Sequence, residues 1–357
     1  MTSELSPVEF ADPFALPQAD REMVLLDGLN ALGAWHESRC SGYAQMLHGI
    51  YGARIRADKL TDIPYLPVRV FKHYNLKSVP DASVVRELTS SGTTGQMVSH
   101  IFLDAETSGM QVRALSSIVQ GFLGRQRLPM LVIDQHETIA AKAALSARAA
   151  GIVGFSNFGR HHLYALDADM RPKWKEIESF IEAYSSQSIL VFGFTYIVWC
   201  NFLQAAIAAG RRLKFKPTSF LIHGGGWKKL ADRSVDNSTF KHMLTEQFGI
   251  ERISNYYGMV EQVGSIFMEC EAGFFHAPGF ADVIMRDPIT LESANSGVVE
   301  VLSLLPRSYP GHAILTEDIG TIFGVDDCAC GRRGKYFHIH GRVPHAEMRG
   351  CSDVRVP

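Results

Sequence analysis

No stretch of about 18 consecutive apolar residues occurs in this 357-residue chain, so no segment reads as a transmembrane helix. A dominant charge sign is also missing. Against 37 Asp and Glu stand 35 Lys and Arg, a formal net charge of −2 at pH 7, with no long run of like charges. That balance points away from nucleic acid or an anionic membrane as the main partner. Met1-Thr2-Ser3-Glu4-Leu5 lacks the basic start and apolar core of a secretory signal. Six cysteines (Cys40, Cys200, Cys270, Cys328, Cys330 and Cys351) are too few for a disulfide scaffold at this length, so a reducing cytoplasm is the expected setting. Internal repeats and low-complexity linkers are absent as well. The length suffices to bury a sizeable core, as one large domain or two closely joined ones.

The chain does contain an unusual loop. Thr89-Ser90-Ser91-Gly92-Thr93-Thr94-Gly95-Gln96 packs five hydroxyls and two glycines into eight positions. Its flanks, Val84-Val85-Arg86-Glu87-Leu88 and Met97-Val98-Ser99-His100-Ile101-Phe102, are rich in β-branched and apolar residues and predict strands. Gly92 and Gly95 permit positive φ and close approach of a ligand to the backbone. Successive amide N–H groups in such a turn form a concave anion site, and the hydroxyls add donors. Phosphate is the natural guest, with Thr93 and Thr94 the best-placed hydroxyls. No lysine follows the second glycine, which excludes the GxxxxGK[ST] loop of P-loop hydrolases. The alternative is a solvated Ser/Thr/Gly hairpin.

Along the rest of the chain, strands and helices alternate. Residues 20–54 show helical apolar spacing through Met23, Leu25, Leu26, Leu29, Leu32 and Trp35. Helices are predicted over 105–122, 140–150, 174–184, 196–209 and 240–248. Short apolar strands are predicted over 130–134, 189–192 and 219–222. This alternation predicts βαβ units and a mostly parallel sheet flanked by helices. From Phe280 the pattern turns to strand–turn–strand, which predicts a smaller antiparallel β subdomain. Ligands of such sheets sit at the carboxyl ends of strands.

Three further segments complete the picture: Asn255-Tyr256-Tyr257-Gly258-Met259-Val260-Glu261, Thr316-Glu317-Asp318-Ile319-Gly320 and His340-Gly341-Arg342. In that order and at those separations the chain resembles the adenylate-forming (acyl- and aryl-CoA synthetase-like) ligases. It is most similar to the acyl-protein synthetase branch of LuxE type. Markers of that branch are Ile63-Pro64-Tyr65-Leu66-Pro67-Val68 with Phe71-Lys72, His223-Gly224-Gly225-Gly226-Trp227-Lys228, Ser308-Tyr309-Pro310-Gly311 and Arg349-Gly350-Cys351-Ser352. The resemblance covers the chain from about residue 60 onward. It implies the large N-terminal α/β domain of these ligases with a smaller antiparallel β subdomain. The expected divisions are a helical segment over 1–60, an α/β nucleotide- and acyl-binding region over 61–278, the β subdomain over 279–342 and a tail over 343–357 carrying Cys351.

The implied reaction is ATP-dependent activation of a fatty or aryl acid as acyl-adenylate, followed by acyl transfer to a thiol. The resemblance makes Thr89–Gly95 the phosphate binder and Glu261 the acid that holds Mg²⁺, since a hard cation prefers carboxylate oxygen. Asp318 would accept hydrogen bonds from the ribose hydroxyls, Gly224 and Gly225 would let adenine lie against the backbone, and Tyr256 or Tyr257 would stack on it. Phe192, Phe194, Tyr196, His223 and Trp227 fall where relatives build the acyl pocket, with His223 a candidate contact for the carboxylate. Each has a plainer reading: a helix-capping glutamate, a turn aspartate, a flexible glycine loop, core aromatics, a hydrogen-bonded histidine. Cys351 is the candidate thiol that takes the acyl group, because Arg349 beside it favours the nucleophilic thiolate; an incidental tail cysteine is the alternative.

Two features stand apart from that pattern. Cys270 with His276, and Cys328 with Cys330, form a candidate four-ligand structural zinc set, with buried structural cysteines as the alternative. The mobile domain of roughly a hundred residues that follows the Gly-Arg hinge in most relatives is expected to be absent, since Pro357 ends the chain fifteen positions past Arg342. No lysine follows Lys335, so that domain's catalytic lysine has no counterpart. Arg342 would still reach ribose or phosphate. Lys72 is a speculative substitute, with a solvated surface lysine as the plainer reading. Acyl transfer to a protein thiol, on a reductase or carrier, then fits better than transfer to CoA. The rival readings are an acyl- or aryl-CoA ligase and a catalytically silent nucleotide-binding scaffold.

Overall fold

Residues 18–51, where the apolar spacing is helical, form two helices that part at Cys40: α1 (Gln18–Arg39) and α2 (Ser41–Tyr51). A computed structural model describes residues 5–52, 56–90, 97–140, 145–227 and 234–343. Leu25, Leu29, Leu32 and His36 bury one face of α1 at helical steps of three and four, whereas Met23 is 62% exposed. After β1 (Leu66–Pro67) and α3 (Val70–His73), the strands predicted around the hydroxyl-rich loop form an antiparallel hairpin of β2 (Val84–Thr89) and β3 (His100–Asp104). Pairing continues one step beyond the strands: Ser90 N–H donates to Ser99 O (3.1 Å) and Ser99 N–H to Ser90 Oγ (2.8 Å). Then α4 (Ala105–Leu123) begins where Asp104 Oδ1 accepts from Thr107 N–H (2.8 Å), and it buries Met110, Ala114, Ile118 and Phe122.

The middle of the chain alternates strand and helix, with two strands, over 159–164 and 252–257, that the sequence pattern did not mark. It runs β4 (Leu128–Ile133), α5 (Glu137–Ala140), β5 (Leu145–Ser146), α6 (Ala147–Ser156), β6 (Gly159–Tyr164), α7 (Trp174–Ala183) and β7 (Leu190–Phe194). The helix expected over 140–150 starts later, at Ala147, where Ser146 Oγ caps it by accepting from Ala149 N–H (3.2 Å). The helix expected over 196–209 is split: α8 (Thr195–Ile197) passes through a π-helical stretch, Val198–Gln204, into α9 (Ala205–Ala208). It is followed by β8 (Phe220–Gly224), α10 (Asn237–Phe248) and β9 (Arg252–Tyr257). Gly249, at φ +73°, ends α10 in the left-handed conformation that glycine adopts at least cost.

Among the described residues from Phe267 onward the regular structure is all strand: β10 (Phe267–Glu269), β11 (Phe275–His276), β12 (Ala281–Arg286), β13 (Ser293–Ala294), β14 (Ser296–Ser303), β15 (Ala313–Val325) and β16 (Lys335–Arg342). The described residues fall into two compact units: those up to Ser90 with Met97–Phe122 and Gly258 onward, and Leu123–Tyr257. In the first, strands run in the order β13-β12-β14-β15-β16-β11-β10, each antiparallel to its neighbours, with β1 parallel to β15. The second holds the parallel sheet β9-β8-β7-β4-β6, whose inner strands β4, β7 and β8 are buried and mainly apolar, as expected of a sheet covered on both faces.

Candidate active site

In the first unit the hairpin and two distant acids converge. Glu261 lies on a 3-10 turn, is only 4% exposed, and its Oε1 accepts from Ser99 Oγ at 2.6 Å. Ser99 is itself paired with Ser90 at the base of the hydroxyl-rich hairpin, so a hydrogen bond ties that base to the acid. Burial pushes the Glu261 carboxyl up from its ordinary value; the Ser99 hydroxyl and the Arg342 guanidinium favour its ionised form, and Glu317 opposes it. The turn is held by Gln262, which donates to Val301 O (3.0 Å) and Gly311 O (3.2 Å), and by Val263 N–H, which donates to Tyr309 Oη (3.2 Å). A Cβ at Gly311 would stand 2.7 Å from Glu261 O. Ser308-Tyr309-Pro310-Gly311 is thus the support under Glu261.

Asp318 and Arg342 are register partners on β15 and β16, and Arg342 Nε stands 3.6 Å from Asp318 Oδ1. Between Val298↔Ile319 and Glu300↔Leu315 the single residue Val299 faces Thr316, Glu317 and Asp318, a bulge of the kind that re-aims side chains. Thr316 explains its place in the motif: Oγ1 donates to Val299 O (2.7 Å) and accepts from Asp318 N–H (3.1 Å). Glu317 pairs with Arg69. Lys72 is 9% exposed, which removes its reading as a solvated surface lysine.

In the second unit, parallel register sets Phe194, Gly224 and Tyr256 in one row at the carboxyl ends of β7, β8 and β9. A Cβ at Gly224 would lie 2.4–2.6 Å from carbons of the Tyr256 ring, so the ring covers that glycine. The protein's own tyrosine fills the space over Gly224, whereas a Cβ at Gly226 would meet nothing within 4 Å among the described residues; Gly225 between them has φ +79°. Tyr256 also meets Phe155 (5.0 Å between centroids) and Phe192 (6.4 Å). Phe192 and Phe194 are fully buried and pack edge-on against each other. Trp227 packs edge-on against Trp199 and Phe240, and Tyr196 is half-buried on α8.

His223 Nδ1 lies 2.9 Å from Thr195 Oγ1, which donates its one proton to Gly224 O (3.1 Å). Nδ1 must then carry the imidazole proton, a tautomer inferred from this network. Burial, with Lys241 adding to it, pushes the imidazole pKa down to about 3, so the ring is neutral. Nε2 is left as a buried acceptor with no hydrogen-bond partner among the described residues. An acceptor suits a donor group; contact with a carboxylate, expected from the sequence, conflicts with this tautomer.

Cys270, His276, Cys328 and Cys330 come together, with their ligand atoms all within 4.8 Å of one another. Ser91, Gly92, Thr93, Thr94, Gly95, Lys228 and Cys351 lie outside the described residues. Sequence reasoning missed Ser99, Arg69 and Thr195. Ser99 sat in a predicted strand flank, and nothing local pairs it with an acid 162 positions away.

Comparison with known proteins shows what the chain is similar to. The family model for acyl-protein synthetase, LuxE, matches residues 3–356. A long-chain-fatty-acid–luciferin-component ligase of Vibrio harveyi is 25% identical over 308 residues, covering 83% of this chain and 78% of its own length. Its namesake from Aliivibrio fischeri is 27% identical over 282 residues, covering 74% and 70%. Among solved structures, an open conformation of 2-hydroxyisobutyryl-CoA ligase with 2-HIB-AMP and CoA aligns at TM-score 0.70 and 14% identity, covering 97% of this chain and 75% of its own. The thioesterification state of that ligase aligns at TM-score 0.68 and 14% identity, covering 96% and 73%. The fold is shared with these ligases.

Proposed function

The chain belongs to the acyl-protein synthetase (LuxE) family, and from that premise we propose that it activates a fatty or aryl carboxylic acid with ATP and passes the acyl group to a protein thiol. A carboxylate oxygen bonds to the α-phosphorus, the bridging P–O bond to the β-phosphate breaks, and pyrophosphate leaves. A thiolate sulfur then attacks the acyl carbonyl carbon, the C–O bond to AMP breaks, and AMP leaves. The observation that carries this reading is the convergence of Ser99, Glu261, Arg342 and Asp318 at the base of the hydroxyl-rich hairpin.

Glu261 fits a Mg²⁺ ligand because an ionised carboxylate this deeply buried needs a nearby positive charge. When bound, Mg²⁺ neutralises charge that builds on the phosphates. Thr89 to Gly95 would supply the donors around the phosphates, and Asp318 would accept from the ribose hydroxyls. Arg342 would bridge Asp318 and phosphate. Gly225 offers backbone to adenine, with Tyr256 beside it. Phe192, Phe194, Tyr196 and Trp227 shape an apolar end for the acid. Cys351 is the first acyl acceptor, ahead of a partner reductase or carrier. Five free cysteines among the described residues suit a cytoplasmic setting, and no described helix is long and apolar enough to cross a membrane.

Pyrophosphate exchange into ATP across a panel of fatty and aryl acids tests the first step. Exchange should depend on one class of acid and fall about 10²- to 10³-fold in Glu261→Gln, the scale for losing a preorganised electrostatic group. No exchange with any acid would overturn the proposal in favour of a silent scaffold. Cys351→Ser should keep exchange and lose protein-bound acyl label. Mass spectrometry that finds acyl-CoA as the product would replace the protein thiol with CoA.

A further inference from the structure

We propose that Cys270, His276, Cys328 and Cys330 are the ligands of a tetrahedral zinc ion that ties the β10–β11 hairpin to the β15–β16 connection. The four residues come from two places in the first unit's sheet. Cys270 and His276 flank the β10–β11 turn, where Cys270 N–H donates to Phe274 O (2.8 Å) and Gly273 N–H to Cys270 O (2.9 Å). Cys328 and Cys330 lie in the β15–β16 connection, where Gly331 N–H donates to Cys328 O (2.9 Å). Pairing of β11 with β16, Phe275 opposite Phe337 and His276 opposite Tyr336, brings the two turns side by side.

Two of the spacings lie near the edges of a coordination tetrahedron. Zinc–sulfur bonds of about 2.3 Å and zinc–nitrogen bonds of about 2.0–2.1 Å give tetrahedral edges of about 3.8 Å for S···S and about 3.6 Å for S···N. Cys270 Sγ and Cys328 Sγ are 3.9 Å apart, and Cys330 Sγ and His276 Nε2 are 3.3 Å apart. A disulfide would need about 2.05 Å between sulfurs. His276 is fully buried, and its Nδ1 has no hydrogen-bond partner among the described residues, so no second polar contact there accounts for the ring's position. Thiolate and imidazole together are the donor set zinc prefers over magnesium or calcium.

The surroundings suit the charge. Three thiolates and a histidine around Zn²⁺ leave one net negative charge. Arg332 hydrogen-bonds Cys330 while paired with Glu271 (2.6 Å), and buried Arg21 donates to Ala277 O (2.8 Å), beside His276. The connection itself, Asp326 to Gly334, is mostly small and charged and buries little apolar surface of its own. β15 leads from Asp318 into it and β16 returns from it to Arg342. A metal crosslink there steadies the strands that carry both residues, away from the chemistry.

Metal analysis of the purified full chain, grown with zinc and without added chelator, should return about one zinc per chain. Replacement by Co²⁺ should give the thiolate-to-cobalt charge-transfer bands and intense visible bands of a tetrahedral sulfur-rich site. Cys328→Ser with Cys330→Ser should lose the zinc and melt at lower temperature. If that variant does not fold, a strong chelator applied to the unaltered chain should release the zinc and lower its melting temperature, with recovery on adding zinc back. Zinc below about a tenth per chain, even after reconstitution, overturns the proposal. So does a Cys270–Cys328 disulfide found by peptide mapping, or Co²⁺ bound with only weak octahedral bands.

Discussion

Ser99 gives Glu261 a hydrogen bond of 2.6 Å in a place where burial works against the carboxylate. The folded-state pKa of Glu261 lies above its ordinary value, so activity that needs the ionised form falls as pH drops through that raised pKa. Removing the Ser99 donor takes away a contact that favours ionisation. Ser99→Ala should therefore move the acid limb of pyrophosphate exchange to higher pH. Below that limb the loss should be about 10- to 100-fold, the equivalent of about 1.5–3 kcal/mol for a hydrogen bond to a charged group. A pH profile of exchange for both proteins checks this, and a limb unchanged or displaced to lower pH would remove Ser99 from the site. Glu261 is marked by the Tyr257-Gly258 motif just before it, but Ser99 is an ordinary serine in a strand flank until the fold joins the two.

Parallel pairing of β7, β8 and β9 is what turns three separate sequence positions into one surface. Gly224 and Gly226, alike in sequence, differ in what they face. Gly224 lies under the Tyr256 ring, and a Cβ at Gly226 would meet nothing within 4 Å among the described residues. Gly224→Ala should push the ring out of its contacts with Phe155 and Phe192 and cost about 1–3 kcal/mol, as overpacking does. Gly226→Ala should leave stability within about 0.5 kcal/mol, the range for changes away from packed features. Thermal melts of the two variants decide the matter; equal losses would show that Tyr256 does not rest on Gly224. Motif reading singled out the glycine run as one unit and had no means of dividing it.

Apart from His276, which the proposed zinc would hold, three buried histidines make the molecule as a whole sensitive to acid. His36 stacks on His312 with ring centroids 5.0 Å apart, and it is hemmed in by Ser78 and Pro306 O. Burial, reinforced by His312, holds His36 well below its ordinary value; burial alone takes His312 to about 3, and His223 lies at about 3 as well. Because the folded pKa values are depressed, the unfolded chain binds more protons below about pH 6.5, the ordinary imidazole value, and stability falls from there toward pH 3. Each histidine contributes up to about 1.4 kcal/mol per pH unit across that window. Urea unfolding at pH 7, 6, 5 and 4 should show the decline, and a flat profile from 6.5 to 4 would contradict the burial of these rings. His36 and His312 belong to the first unit and His223 to the second, so both should feel it.

Periodicity and apolar runs determined the main strands and helices over 130–248, save the polar strand over 159–164, and the antiparallel strands after Phe280, because those patterns are local properties of the backbone and of one face of each element. The order of the motifs determined the family. Tertiary structure decided which side chains meet. Ser99 reaches Glu261 across 162 positions, and Cys270 reaches Cys328 across 58. Asp318 comes opposite Arg342 through strand register and is turned by a bulge that no composition announces. The physical reason is one of range: a residue's neighbours three or four positions away set its conformation, whereas its chemistry here depends on partners that only the pairing of whole strands brings within a few ångströms.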